Sequence, residues 1–341
     1  MQISTIGVDL AKNVFQVHGV DGQGKIVLVR QLRRQQIMEF FRRLPSCLVG
    51  MEACATAHHW ARELMKLGHT VRLIPPSYVK AYVKRSKNDA ADAAAICEAV
   101  TRPSMRFVPI KTAEQQATLT VHRTRDLLIS QRTQLINALR AHLAELGFVT
   151  NQGRDGVTKL IAIVTAENNL QALPAMMREA LQVVVAQLAS LQIRELERSI
   201  HAQHRASDVS QRLESIPGIG VIGATAIAAT ITDPNVFTSG RDLAAWIGLV
   251  PRQSSTGGKE RLGGISKQGD RYLRRLLVVG ATAVVRHARR HPDKHPWITK
   301  LLAKKPAKLV AIAVANKTAR IAWAIMNKGG IYRTPALAAA A

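Results

Sequence analysis

Short apolar runs separated by turn residues fill the first part of the chain. A longer apolar spacing of three and four takes over after it. Ile3 to Asp9 is β-rich and ends on an acid. Asn13 to Val20 and Lys25 to Leu32 follow as strand candidates, with Asp21-Gly22-Gln23-Gly24 as the turn between them. Ile37 to Leu44 reads as a helix, Cys47 to Glu52 as a short buried strand, and His58 to Leu67 as a helix. Thr70 to Ile74 reads as a strand stopped by Pro75-Pro76, and Asn88 to Val100 as a polar helix. A hairpin meander followed by alternating helices and strands predicts a mixed α/β sheet.

Leu128, Leu135, Leu139, Leu143 and Leu146 recur at helical spacing within 119–146. A second pattern over 167–204 carries Leu181, Leu188, Leu191 and Ile193. Two long amphipathic helices predict either an antiparallel coiled-coil arm for dimerisation or a helical spacer packed on its own chain. Beyond them, Ile216-Pro217-Gly218-Ile219-Gly220 is a glycine-rich turn before a helical run. The chain therefore divides into an α/β stretch over 1–110, a helical stretch over 111–207, a mostly α stretch over 208–334 and a frayed tail over 335–341.

Charge changes the picture. The 341 residues hold 48 Lys and Arg against 23 Asp and Glu, a formal charge of +25. Residues 251–333 alone hold 19 basic residues against Glu260, Asp270 and Asp293. A polyanionic partner is expected, nucleic acid before an anionic membrane. Aromatics at 4% argue against single-strand binding built on stacking, not against grip through phosphates. Cys47, Cys54 and Cys97 lack disulfide-framework or zinc-site spacing, which fits a reducing cytoplasm. No signal peptide is visible, and no run approaches the ~18 apolar residues of a membrane span, so no membrane partner is expected.

Acids are scarce, so their placement carries information. Asp9 ends the first strand, Glu52 ends a later one, and Asp89 and Asp92 share a helical face. A sheet and a helix laid on it could gather all four. Their mutual repulsion then calls for a cation, and hard oxygen donors select Mg²⁺ or Mn²⁺. Two such ions would clamp the attacking and leaving oxygens of a phosphodiester. The plainer reading makes Asp9 a turn former, Asp89 a helix N-cap and Asp92 a first-turn charge.

Ile6-Gly7-Val8-Asp9-Leu10-Ala11-Lys12, Gly50-Met51-Glu52-Ala53 and Lys87-Asn88-Asp89-Ala90-Ala91-Asp92-Ala93 resemble the three acidic motifs of the DEDD transposases. That is the insertion-sequence-110 family, and the chain is most similar to its 1111 subgroup. The resemblance covers nearly the whole chain. It implies a ribonuclease-H-like (RuvC-like) N-terminal domain that uses Mg²⁺, with Asp9, Glu52, Asp89 and Asp92 as catalytic metal ligands.

Ser254-Ser255-Thr256-Gly257-Gly258-Lys259 sets three hydroxyls beside two glycines and a lysine, with Arg252 and Arg261 close by. The residues alone allow a phosphate-gripping loop or a covalent nucleophile. The run Gly248 to Pro251, then Ser255 to Lys259, Gly264 to Asp270 and Tyr272 to Leu277 is similar to the family's C-terminal transposase domain. That resemblance implies a nucleophilic serine, aligned here to Ser255, with Ser254 and Thr256 as flanking alternatives.

Gly218 and Gly220 lie in a turn resembling a helix-hairpin-helix, whose amides contact phosphate without reading bases. Lys80, Lys84, Arg85 and Lys87 precede the Asp89 motif as a candidate phosphate-guiding lip. Arg252, Lys259, Arg261, Lys267, Arg274 and Arg275 are further nucleic-acid candidates. His287, His291 and His295 stand four apart, but Pro292 and Pro296 break the helix, so the stretch reads as a basic loop. Trp246, Trp297 and Trp323 read as core residues.

The resemblance implies a transposase that cuts and exchanges donor and target DNA strands, guided by a non-coding RNA from its own element. It also implies a dimer forming a tetramer on DNA, in which acidic and serine domains of different subunits meet. The setting is the bacterial cytoplasm at the nucleoid. The rivals are a site-specific DNA invertase of the same family, a junction-resolving endonuclease, and a non-catalytic nucleic-acid-binding protein.

Overall fold

The computed structural model describes residues 2–83, 88–166 and 173–333. The chain forms two compact units, Met1–Gln116 with Ile231–Asp242, and Ala117–Thr230 with Leu243–Ala341.

The first unit contains β1 (Thr5–Leu10), β2 (Val14–Val20), β3 (Ile26–Arg33), α1 (Ile37–Arg42), β4 (Leu48–Glu52), α2 (Ala57–Lys66), β5 (Thr70–Ile74), α3 (Pro76–Val79) and α4 (Asp89–Ala99). The strands order as β3-β2-β1-β4-β5. The β1-β2-β3 meander is antiparallel, and β4 and β5 add parallel to β1. The Asp21 carboxylate accepts the backbone N–H groups of Gln23 and Lys25, and Gly24 supplies a φ of 79° that closes the turn. One sheet face buries Ile6, Val8, Phe15, Val17, Val49 and Met51 against Phe41 of α1 and Trp60 and Leu64 of α2. Each large side chain buried this way stabilises by about 1.5–3 kcal/mol before conformational entropy is counted. The segment 231–242 is tied into this unit by the Arg106–Asp242 ion pair at 2.7 Å.

The second unit is mostly helical. It is built from α5 (Ala113–Ala144, whose first residues lie in the first unit), α6 (Arg154–Thr165), α7 (Ala175–Ser190), α8 (Ile193–Arg205), α9 (Asp208–Glu214) and α10 (Val221–Thr230). It continues through α11 (Gly240–Ile247), which begins in the first unit, and the hairpin β6 (Pro251–Gln253) and β7 (Leu262–Ile265). Then follow α12 (Arg271–Arg290), α13 (Pro296–Leu302) and α14 (Ala307–Lys328). Leu139 and Leu143 of α5 pack with Leu160, Val164, Leu173 and Leu181. The pattern expected over 167–204 is not one helix. The Ser190 hydroxyl donates to the Gln187 carbonyl, Leu191 turns extended, and α8 starts afresh. By length and composition α14 could cross a membrane. However, Val310, Val314, Ala315, Ala319, Ala322 and Ile325 are buried, as in a core helix.

His122 of α5 lies buried in this unit. Its Nε2 is 3.0 Å from Thr225 Oγ1 and its Nδ1 is 3.1 Å from the Tyr272 hydroxyl. Thr225 directs its own proton to the Val221 carbonyl, so Nε2–H donates to Thr225 and Nδ1 accepts from Tyr272. The imidazole is neutral: burial, then the charge of Arg125, pushes its pKa down to about 4.

Two sequence expectations are corrected here. Trp246 and Trp297 are 40% and 41% exposed, not core. The Trp297 ring is covered by the Lys317 ammonium, 4.3 Å from its centroid. The histidine stretch is also more than a basic loop. Pro292 opens a 3₁₀ turn and Pro296 starts α13, where each proline's missing N–H costs nothing. This tight turn brings the rings of His287, His291 and His295 together.

Candidate active site

Asp9 lies two residues after Gly7 on β1, so both point to one sheet face. Gly50 and Glu52 stand in the same relation on β4, and the register pairs Gly7 with Gly50. α4 lies on that face. A Cβ on Gly7 would come 2.2 Å from the Ala93 carbonyl oxygen and 2.4 Å from the Cys97 nitrogen, and one on Gly50 would come 2.8 Å from Val100 Cβ. Missing side chains thus let α4 settle directly on two strand backbones. The helix begins under the cap of Asn88, whose Oδ1 accepts the Ala91 N–H at 2.7 Å. Asp89 is therefore not the N-cap. As a result, carboxylate oxygens of Asp9, Asp89 and Asp92 lie within 4.8 Å of one another.

The pocket is electrostatically costly as it stands. Burial, then repulsion from Asp92, Asp89 and Glu52, pushes the Asp9 pKa up to about 6, while the Leu10 backbone N–H opposes the shift. Glu52 is thus within electrostatic reach of Asp9, outside the cluster of three close carboxylates. An all-carboxylate donor set, with Asp9 and Asp92 half-buried and Asp89 exposed, that repels itself suits a hard divalent cation with oxygen preference.

The serine motif occupies an exposed hairpin. The Ser254 N–H donates to the Arg261 carbonyl at 2.9 Å. Ser255 Oγ accepts from Gln253 Nε2 at 3.2 Å and from the Arg261 N–H at 3.4 Å. Gly257 and Gly258, at φ 55° and 75°, turn the tip where Thr256 and Lys259 bridge. Of the three candidates, Ser255 is the one whose hydroxyl oxygen receives two N–H groups, from Gln253 and Arg261.

Among the basic candidates, Arg252, Lys259, Arg261 and Lys267 are exposed on this hairpin and the loop after it. Arg274 donates to the carbonyls of Ile247 and Gln268 and so braces that loop. Arg275 pairs with Asp126 of α5 and lies 5.3 Å from the centroid of the Tyr272 ring. Lys80 is exposed after α3, while Lys84, Arg85 and Lys87 lie outside the described residues. Gly218, at φ 88°, forms the turn between α9 and α10, and its carbonyl packs so closely on Gly280 of α12 that a Cβ there would meet it at 1.8 Å. Gly220 has open space beside it.

Sequence reasoning passed over Asn88 as the cap, Gly7 and Gly50 as the floor beneath α4, and Gln253 as a partner of Ser255. The two glycines did carry a signal, since each stands two places before an acid within an apolar strand.

A carboxylate pocket on a mixed sheet, in a chain with 25 surplus positive charges, defines the class: an enzyme acting on the phosphodiesters of nucleic acid. Comparison with known proteins narrows it. Residues 6–148 match a family model described as "Transposase", and residues 210–296 match "Transposase IS116/IS110/IS902 family". The chain is 52% identical to a "Probable family 20 transposase" of Pseudomonas aeruginosa, over 98% of this chain and 99% of that protein. It is 40% identical to the "Transposase for insertion sequence element IS1328" of Yersinia enterocolitica, over 97% and 98%. The same identity holds to the "Transposase for insertion sequence element IS1111A" of Coxiella burnetii, over 97% and 92%. The chain belongs to the IS110/IS116/IS902 family of insertion-sequence transposases, and is a DNA recombinase.

Proposed function

We propose that this transposase cleaves and exchanges DNA strands through a serine nucleophile and an acidic Mg²⁺ (or Mn²⁺) centre. The observation that carries the reading is the convergence of Asp9, Asp89 and Asp92 oxygens within 4.8 Å. Asp9, Glu52, Asp89 and Asp92 would hold the cation. When bound, it supplies Lewis-acid stabilisation of charge on the phosphate oxygens. The strand order, an antiparallel meander extended by parallel strands and covered by α4, supports a ribonuclease-H-like fold.

Ser255 Oγ attacks phosphorus and forms a phosphoserine, the P–O bond to the neighbouring deoxyribose breaks, and the leaving oxygen takes up a proton. A hydroxyl from the exchanged strand then attacks the phosphoserine and releases Ser255. The N–H groups of Gln253 and Arg261 hold the serine oxygen, while Arg252, Lys259, Arg261 and Lys267 grip phosphates. The Gly218–Gly220 turn and the start of α10 add a sequence-independent phosphate contact of helix-hairpin-helix type.

By the family resemblance, the serine and the acids of one centre come from different subunits. The 32-residue α5, with α7, supports an arm for dimerisation and a tetramer on DNA. An RNA from the element itself supplies sequence choice and a second polyanion for the basic unit. The enzyme acts on DNA in the bacterial cytoplasm, at the nucleoid.

The test is cleavage by the full-length protein, purified from cells expressing the element's flanking non-coding DNA. Wild type should form a protein–DNA adduct in Mg²⁺ that survives denaturant and is lost on protease digestion, and should carry a defined RNA. Asp9→Asn and Ser255→Ala should form none, while Ser254→Ala and Thr256→Ala should. An adduct persisting in Ser255→Ala defeats the nucleophile assignment, and cleavage by Asp9→Asn defeats the acidic centre.

A further inference from the structure

The histidine trio at the end of α12 is absent from the chemistry above. His287 sits in the last turn of α12, His291 caps that helix, and His295 precedes α13. His287 Nδ1 and His295 Nε2 stand 2.9 Å apart. The His291 ring centroid lies 4.6 Å from that of His287, and the His295 centroid lies 5.1 Å from it. We propose that His287, His291 and His295 form a second metal site, distinct from the acidic centre, that takes a borderline transition-metal cation of the Zn²⁺ class.

The geometry suits the chemistry. Two imidazole nitrogens on one tetrahedral Zn²⁺, each at about 2.0–2.1 Å, stand roughly 3.3 Å apart. The nitrogens of His287 and His295, 2.9 Å apart, need to part by only about 0.4 Å to reach that separation. Between metal-free imidazoles such a contact is one N–H donated to one lone pair. Binding requires the donor ring to carry its proton on the other nitrogen, a tautomer change that needs no net proton loss. His291 is exposed, so rotation of its side chain can bring a third nitrogen to the ion.

The backbone beneath is held in place. The His291 N–H donates to the His287 carbonyl at 3.0 Å, and the His295 N–H to that of Pro292 at 3.0 Å. Thr299 Oγ1 donates to the carbonyls of both Pro292 and His295 at 3.1 Å. Three nitrogen donors discriminate against Mg²⁺, which prefers oxygen, and leave a coordination position for water or a phosphate oxygen. Neighbouring charge works against tight binding, since Arg286, Arg289, Arg290 and Lys294 are basic and Asp293 is the one acid among them. The site is therefore weaker than a closed four-ligand structural site. An ion here would clip the end of α12 to the start of α13.

The test uses full-length protein in excess Mg²⁺, which occupies the acidic centre, titrated with Co²⁺ as the spectroscopic probe and then with Zn²⁺. The expected result is one Co²⁺ per chain with visible ligand-field bands of nitrogen coordination, displaced by Zn²⁺, and a Zn²⁺-dependent rise in Tm. His287→Ala and His295→Ala should each weaken binding at least about tenfold and abolish the Tm rise, because loss of even an outer partner costs about 10–100-fold. His291→Ala should weaken it less than either. Asp9→Asn should leave it unchanged. Absence of Co²⁺ bands in the wild type, or equal binding in His287→Ala and His295→Ala, overturns the proposal. So does loss of the bands in Asp9→Asn alone.

Discussion

A methyl group on Gly7 would sit 2.2 Å from the carbonyl oxygen of Ala93, so β1 and α4 are in backbone contact at that point. The contact sets the distance between Asp9 and the Asp89/Asp92 pair. Gly7→Ala should force the helix outward and destabilise the protein by about 1–3 kcal/mol or more. Denaturant unfolding and DNA cleavage, measured together, should both fall. Full cleavage by a stable Gly7→Ala protein would show that helix placement does not control the pocket.

Asp9→Asn should separate stability from activity. It removes one member of a self-repelling group, so without divalent cation the variant should unfold at the same temperature as the wild type or higher. Added Mg²⁺ should raise Tm in the wild type and less in the variant. A Tm drop in metal-free Asp9→Asn would mean that the carboxylate supports the fold.

Gln253→Ala should slow formation of the DNA adduct by about tenfold, the worth of one hydrogen bond to the nucleophile. The side chain lies on an exposed hairpin, so Tm should not change. Single-turnover adduct kinetics would detect the slowing, and an unchanged rate would remove Gln253 from the positioning of Ser255.

Replacing Arg252, Lys259 and Arg261 together by alanine should weaken DNA binding without altering the fold. The slope of log K against log salt should shrink by about 2–3, close to one for each phosphate that is no longer neutralised. A slope equal to the wild type's would place the DNA elsewhere.

His122 gives stability a pH dependence of known sign. Its folded pKa, about 4, lies below the ordinary 6.5, so between those values the unfolded chain takes up a proton that the native protein refuses. Stability should therefore fall as pH drops from about 6.5 to about 4, by up to about 3 kcal/mol. His122→Gln should flatten that slope in urea titrations across the range.

The sheet and helices of the first unit could be read from short apolar runs and turn residues, since each element there is local. The four acids could be named and their gathering by a sheet and a helix expected, but the means was not legible, because it depends on two glycines and a parallel register that bring together residues far apart in sequence. Pro292 and Pro296 misled for a physical reason: a proline that ends one helix can begin the next, and the turn between them gathered the side chains that a broken helix was expected to part. Trp297 misled because a cation can cover an aromatic face as well as an apolar neighbour does. The α7–α8 break had no breaker residue to announce it.

Residues 231–242 return to the first unit after a long excursion, so neither unit is one continuous stretch of gene. A fragment ending near residue 116 would encode a first unit missing the carboxylate that Arg106 pairs with. Crossovers that trade back halves between diverged relatives would deliver that segment with the wrong companion.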